Sequence, residues 1–298
     1  MSPAPLDRAV RSARDEIEFA GVTWPQVLFL LGTGTGVLPE RLDGRGSLPL
    51  ASLTGVPESW RPAVLHHGSW NTDEGALGAW MLEDVTADAP PDPGDKPWAA
   101  AFPCWLASSA RASILVHVAA GSALPASDLV PEPPEPLKAP SVAVVRDHLN
   151  LSGSTPLAGL GQSRLGPLFP DLTQLHHPGL RSVVLGKADE LGIPGAEAVA
   201  ACTVGPTLDT PAERRFLARA GAQISVQGLA APLLAAAHSG LAVLSIVAVT
   251  DAGEGPVDLS AIVAASEALA PAIDDLLAAT AGELCREARA LAREIEVG

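Results

Sequence analysis

The sequence predicts a single α/β domain, and three observations carry that prediction. Short, continuous apolar runs recur at residues 27–31, 113–118, 141–145, 198–204 and 241–249, each the length of a strand buried on both faces. Several end in glycines, small residues or a Gly-Pro turn, the kind of strand end at which open α/β sheets keep their ligands. Stretches of helical spacing alternate with the runs and follow the last of them.

Taken in order, residues 6–20 alternate charged and apolar side chains at helical spacing, so an amphipathic helix fills residues 1–22. The run at 27–31 feeds into G-T-G-T-G at 32–36, a loop whose amides can approach an anion closely. It is neither a Walker loop nor a G-x-G-x-x-G fingerprint. Residues 63–65 and 79–82 read as short strands, with His66-His67-Gly68 between them. Residues 83–97 form an acidic, Pro-rich loop, and helical spacing resumes over 98–111. The strand at 113–118 closes on Ala119-Ala120-Gly121-Ser122, and residues 123–140 read as a Pro-rich surface crossing. The strand at 141–145 leads into R-D-H-L-N-L, followed by a Gly/Ser/Pro-rich excursion over 152–175.

The run at 198–204 precedes a Gly-Pro turn and a helix with a clear start. Thr210 suits the N-cap, Pro211 the first helical position, and Glu213 completes a T-x-x-E capping box. Phe216, Leu217 and Ala220 are expected on the inner face, with Gly221 as the stop. Asp209 is the acid of that turn, either a site residue or an accessory to the cap. The run at 241–249 closes on Thr250-Asp251, and residues 259–296 are Ala/Leu/Glu-rich C-terminal helices. No internal repeat or linker divides the chain, so residues 1–298 are read as one domain.

Composition excludes several classes of function. Hydrophobic residues make up 47% and charged residues 18%, a core-rich balance. Tyrosine is absent, so no phenol is available as an acid or a stacking ring. A net charge of -15 opposes nucleic acid and anionic membranes, whose binding depends on basic side chains. Cys104, Cys202 and Cys285 are odd in number and far apart, without metal-ligand spacing. They read as reduced thiols of a cytoplasmic protein, and no metal is expected. No signal peptide is evident, and no apolar run reaches the ~20 residues that span a bilayer.

In order and spacing, the strand-end motifs resemble those of the trimeric purine nucleoside phosphorylases and their methylthioadenosine-cleaving relatives. L-G-T-G-T-G at 31–36 is similar to that family's L-G-S-G-L-G, and V-A-A-G at 118–121 to its N-A-A-G. R-D-H-L-N-L at 146–151 and F-P-D-L at 169–172 resemble R-D-H-I-N-L and F-P-D-M. G-P-T-L-D-T-P-A-E at 205–213 resembles G-P-x-F-E-T-x-A-E, while H-S-G-L at 238–241 and Thr250-Asp251 are similar to H-x-G-L and T-N. The resemblance implies a central mixed β-sheet flanked by helices and cleavage of a purine nucleoside's N-glycosidic bond, with phosphate as acceptor. It implies no cofactor, inorganic phosphate as co-substrate, and a homotrimer.

Residue by residue, the resemblance implies that Thr33 and the amide of Ala119 bind phosphate, with His67 or His66 standing in for a family His near it. A surface or capping role is the alternative for that His pair. Asp209 replaces the Glu that holds the purine edge, and Asp251 replaces the Asn that contacts N7 and the 6-substituent. An acid at the latter position also occurs in adenine-specific relatives. These two acids are the candidate catalytic residues. Leu208 and Thr250 complete the purine site, and Gln227 lies beside ribose. Ala261 stands where the family has a sugar-contacting His. The resemblance gives Arg146, Asp147 and His148 a chiefly structural role.

Other positions depart from the pattern. The Arg and His that clamp phosphate are expected between Leu82 and Trp98, an interval holding Asp84, Asp88, Asp92 and Asp95, with Lys96 the only base. A rival alignment puts the clamp motif on residues 68–75, which also lack both groups. The alternative function is therefore a catalytically degenerate member that binds a nucleoside or serves in assembly.

Overall fold

The computed structural model describes residues 4–32, 37–85, 94–127, 137–252 and 258–297. Helix α1 (Pro5–Phe19) precedes β1 (Val27–Leu31), followed by β2 (Asp43–Pro49), β3 (Val64–Thr72) and β4 (Gly75–Glu83). A 3-10 segment at Pro97–Ala101 leads into α2 (Phe102–Ser109), then β5 (Ile114–Ala123) and β6 (Ser141–Asn150). Next come α3 (Pro178–Glu190), β7 (Gly195–Thr203), α4 (Pro211–Arg219), β8 (Ile224–Gln227), α5 (Ala230–Ser239) and β9 (Ala242–Asp251). Helix α6 (Leu259–Val297) ends the described chain.

The strands form one mixed sheet in the order β2-β3-β4-β1-β5-β8-β7-β6-β9, and β9 also pairs with β5. The last five strands therefore close on themselves, while β2, β3, β4 and β1 extend the sheet as a wing. Inside the ring β5 runs parallel to β9 and antiparallel to β8, and β6 runs antiparallel to β9. The sheet is thus an α/β one with mixed polarity, in agreement with the fold class read from the sequence.

Two apolar layers cover the sheet, and the alternation of each strand assigns its side chains to them. Leu28 and Leu30 of β1 join the cluster under α1, α2 and α5, while Val27, Phe29 and Leu31 join the one under α3 and α6. Val243, Val247 and Val249 of β9 face the first, and Leu244, Ile246 and Ala248 the second. Burial on both faces is why these strands read as unbroken apolar runs. The three cysteines are buried free thiols, and burial pushes the Cys202 thiol up to about 12.

Several expectations are corrected. His66 and His67 lie inside β3, not between strands, and residues 68–75 belong to the β3–β4 hairpin. Ala119 to Ser122 continue β5 as strand, and Arg146 to Asn150 continue β6. The C-terminal segment is one helix of 39 residues, with Pro271 inside it. On α4 the inner face is Arg214, Leu217 and Ala218, whereas Phe216 is 63% exposed. The capping box itself is present: the Thr210 side chain accepts from the Glu213 amide, and the Glu213 carboxylate accepts from the Thr210 amide at 2.7 Å.

Candidate active site

The ends of β4, β5, β8 and β9 and the turn before α4 enclose a cavity of about 200 Å³. Its side chains fall into two clusters at different depths along β5.

The first cluster gathers two acids. Asp209 comes from the turn after β7, and its carboxylate accepts a short hydrogen bond from the Ser225 hydroxyl of β8. Asp251 ends β9, and its Oδ2 accepts from the Ser122 hydroxyl of β5 at 2.5 Å. The two serines are neighbours because Ser122 is register partner of Ser225 in the β5–β8 pair. Arg214 joins the acids from above. Its Nη1 is 2.9 Å from Asp251 Oδ1, and its Nε donates to the Asp209 carbonyl at 3.3 Å. The Arg214 side chain is 6% exposed and that of Asp251 23%, so the ion pair is shielded from water mainly on the arginine side. Thr250 donates to the Gly121 carbonyl at 3.3 Å, and the Gln227 amide donates to the Thr207 carbonyl at 2.8 Å.

The second cluster lies where β1, β4 and β5 run side by side. Gly32 packs its backbone directly on β5, its amide donating to the Val118 carbonyl at 2.8 Å. A Cβ there would sit 2.6 Å from that carbonyl oxygen, so only glycine permits the approach. Asp84, just past β4, is fixed by its amide to the Leu31 carbonyl at 2.8 Å. His117 of β5 puts Nε2 3.5 Å from Asp84 Oδ2, and both side chains are almost fully buried. Burial, with the Asp84 carboxylate adding to it, pushes the Cys104 thiol far up, which rules it out as a nucleophile at neutral pH.

Of the residues expected from the sequence, Ala119, Leu208, Asp209, Gln227, Thr250 and Asp251 line this one cavity. Thr33, with the rest of the glycine loop at 34–36, lies outside the described residues, as do Asp88 and Asp92. His67 lies apart from this cavity. It faces Gly46 and Trp80 across the sheet wing, and its Nδ1 accepts from the Thr23 amide at 3.3 Å. It is not among the cavity residues, because its place in β3 puts two strands between it and β5. His66 meets the Ser47 hydroxyl at 2.9 Å. Ile262, next to Ala261, lines the cavity from α6.

Arg214, His117, Ser122 and Ser225 were not legible as site residues. For Arg214 the signal was available in the spacing of Leu217 and Ala218, three and four residues on. Among the described residues no group of three or more His, Cys, Asp or Glu side chains could hold a metal ion. No described helix is long and apolar enough to cross a membrane.

The closed mixed sheet carries, at the ends of its strands, one cavity lined by Gly32 and Gly121 and bordered by Asp209 and Asp251, and comparison with known proteins gives its class. The Phosphorylase superfamily profile matches residues 133–281. Purine nucleoside phosphorylase of Mycobacterium tuberculosis is 32% identical over 282 residues, covering 91% of this chain and 90% of that protein. Purine nucleoside phosphorylase 1 of Geobacillus stearothermophilus is 26% identical over 257 residues, covering 84% and 86%. Among solved structures, isoform 2 of the Schistosoma mansoni purine nucleoside phosphorylase, in complex with cytosine and ribose-1-phosphate, aligns with a TM-score of 0.78 at 19% identity. That alignment covers 93% of this chain and 95% of the other. The chain belongs to the purine nucleoside phosphorylase family.

Proposed function

We propose that this protein cleaves the N-glycosidic bond of a purine nucleoside and transfers the sugar to inorganic phosphate, as a pentosyltransferase. The observation that carries the reading is the convergence of Asp209, Asp251, Leu208, Thr250, Gln227 and Ala119 on one cavity in a chain of this family. Asp209 and Asp251 take the purine edge, with Leu208 and Thr250 beside the ring and Gln227 beside the sugar. Thr33 and the Ala119 amide take phosphate.

The chemistry follows from charge. As the C1′–N9 bond breaks, the sugar becomes oxocarbenium-like and the departing base gains electron density. Holding the acceptor close to C1′ and giving the base a partner for its new charge both lower the barrier. A carboxylate accepts from a 6-amino group, so Asp251, ion-paired with Arg214, can serve a purine that carries one. Arg214, paired with Asp251 at 2.9 Å, fixes the direction in which that carboxyl points. An assembly of three copies in the cytoplasm belongs to the same reading.

The test is release of purine from inosine, adenosine and methylthioadenosine in the presence of phosphate, with the sugar product identified. Asp209→Ala is expected to weaken nucleoside binding by about tenfold or more, since a buried hydrogen bond to a charged group contributes roughly 1.5–3 kcal/mol. Unchanged nucleoside affinity in that variant would remove Asp209 from the purine site.

A further inference from the structure

The second cluster of the cavity holds a pair that phosphate transfer leaves without a task. The side chains of Asp84 and His117 are 1% and 2% exposed, and they face each other at 3.5 Å beside Gly32 and Ala119. Nδ1 of His117 is buried and has no hydrogen-bond partner among the described residues. His117 lines the cavity, and an orphaned buried ring nitrogen is costly unless a bound molecule satisfies it. Water is the smallest molecule that can do so.

The charge at this end points the same way. Phosphate arrives as an anion, and a carboxylate repels it most strongly where water is excluded. Arg214 is already engaged by Asp251 in the other cluster. A carboxylate behind an imidazole is, however, what a general base needs. With Nε2–H turned toward Asp84, the lone pair of Nδ1 is left to take a proton, and the acid stabilises the imidazolium that results.

We propose that the cavity uses water as a second acceptor, so that the protein also hydrolyses purine nucleosides, with His117 as general base and Asp84 as its positioning residue. This inference rests on the nucleoside-cleaving reading above. In the step, the C1′–N9 bond breaks and its electron pair leaves with the purine. The water oxygen forms the new bond to C1′, and its proton passes to Nδ1 of His117. The purine takes a proton from solvent, His117 later returns its own, and the products are free base and free sugar.

The experiment measures purine release from inosine, adenosine and methylthioadenosine in buffer stripped of phosphate and in buffer containing it. Initial-rate sugar products are identified as free or 1-phosphorylated. The expected result is phosphate-independent release that yields free sugar. His117→Asn should cut that rate by about 100-fold, the usual contribution of a general base, and the phosphate-supported rate by much less. Asp84→Asn, a smaller change, should act in the same direction, and thermal melting checks that both variants are folded. Release that strictly requires phosphate and yields only sugar 1-phosphate overturns the water acceptor while leaving the parent reading intact. Phosphate-independent release that folded His117→Asn leaves unchanged overturns the assignment of the base. No release from any nucleoside in either buffer overturns the parent reading, and this one with it.

Discussion

Arg214 ties together the end of the cavity where Asp209 and Asp251 meet, linking a side chain of one element to the backbone of another. It pairs with Asp251 at the end of β9 and donates to the carbonyl of Asp209 before α4. Removing one partner of a shielded pair strands the other, which costs far more than the pair gains net. Arg214→Met, close in length but uncharged, should therefore lower stability by about 3 kcal/mol, as read from the urea midpoint. It should also weaken nucleoside binding. Arg214→Lys should restore part of the stability, since it keeps the charge but loses the planar fork. If Arg214→Met melts like the wild type, Arg214 is not what orders the acids. The two acids themselves could be read from the sequence because each sits in a motif at a strand end. Arg214 could not, because the face expected from the spacing, Phe216, Leu217 and Ala220, shares only Leu217 with the buried face of Arg214, Leu217 and Ala218. Ser122 and Ser225 carry no local signal at all; only the β5–β8 register makes them neighbours.

Among the elements, α4 was the most legible, since its start is written in four consecutive residues. Thr210→Ala removes the cap, and a loss of about 1 kcal/mol is expected, with a larger rise in KM for nucleoside than change in kcat. A KM equal to that of the wild type would show that Ser225 and Arg214 position Asp209 without the cap. Elements without such signals were missed for physical reasons. Strand β2 is an edge strand carrying Gly44, Gly46 and Pro49, a composition that gives no strand propensity. Helix α5 is apolar nearly all round, so it shows no period to find. Helix α3 contains Gly179 and Gly186 and is held by Leu180, Val184 and Ala188 against its neighbours and by the His177 side chain at its N-cap. Just before α3, His176 meets His148 of β6 at 3.1 Å, and burial, then the neighbouring His148, lower its pKa to about 4. Burial lowers His148 as well. Between about 6.5 and about 4 the unfolded chain takes up a proton that folded His176 refuses. Stability from this site is therefore full above that window and lost as pH falls through it, by about 3 kcal/mol in all. Urea midpoints at pH 7 and pH 5 should differ more for the wild type than for His176→Gln, and equal differences would refute the linkage.

At the scale of the whole molecule, neither the strand order nor the closure of β9 onto β5 could be read along the chain, because both depend on pairings between distant segments. Net charge could be read, and it has a consequence at the cavity. The chain carries -15, and Asp84, Asp209 and Asp251 all border the cavity. Such a field lowers the local concentration of an anion while leaving a neutral nucleoside nearly untouched. Salt screens it: the Debye length falls from about 10 Å at 0.1 M to about 3 Å at 1 M. Raising ionic strength should therefore lower KM for phosphate, or at least leave it unraised, while KM for the nucleoside stays constant. A site built on exposed cations would show the reverse, with phosphate binding weakening as salt rises. Steady-state kinetics at fixed pH across that salt range separates the two. A phosphate KM that climbs with salt would place an unassigned cation at the acceptor end and remove the electrostatic case for water there. A KM that falls would tie the acidic balance of the whole sequence to the choice of acceptor.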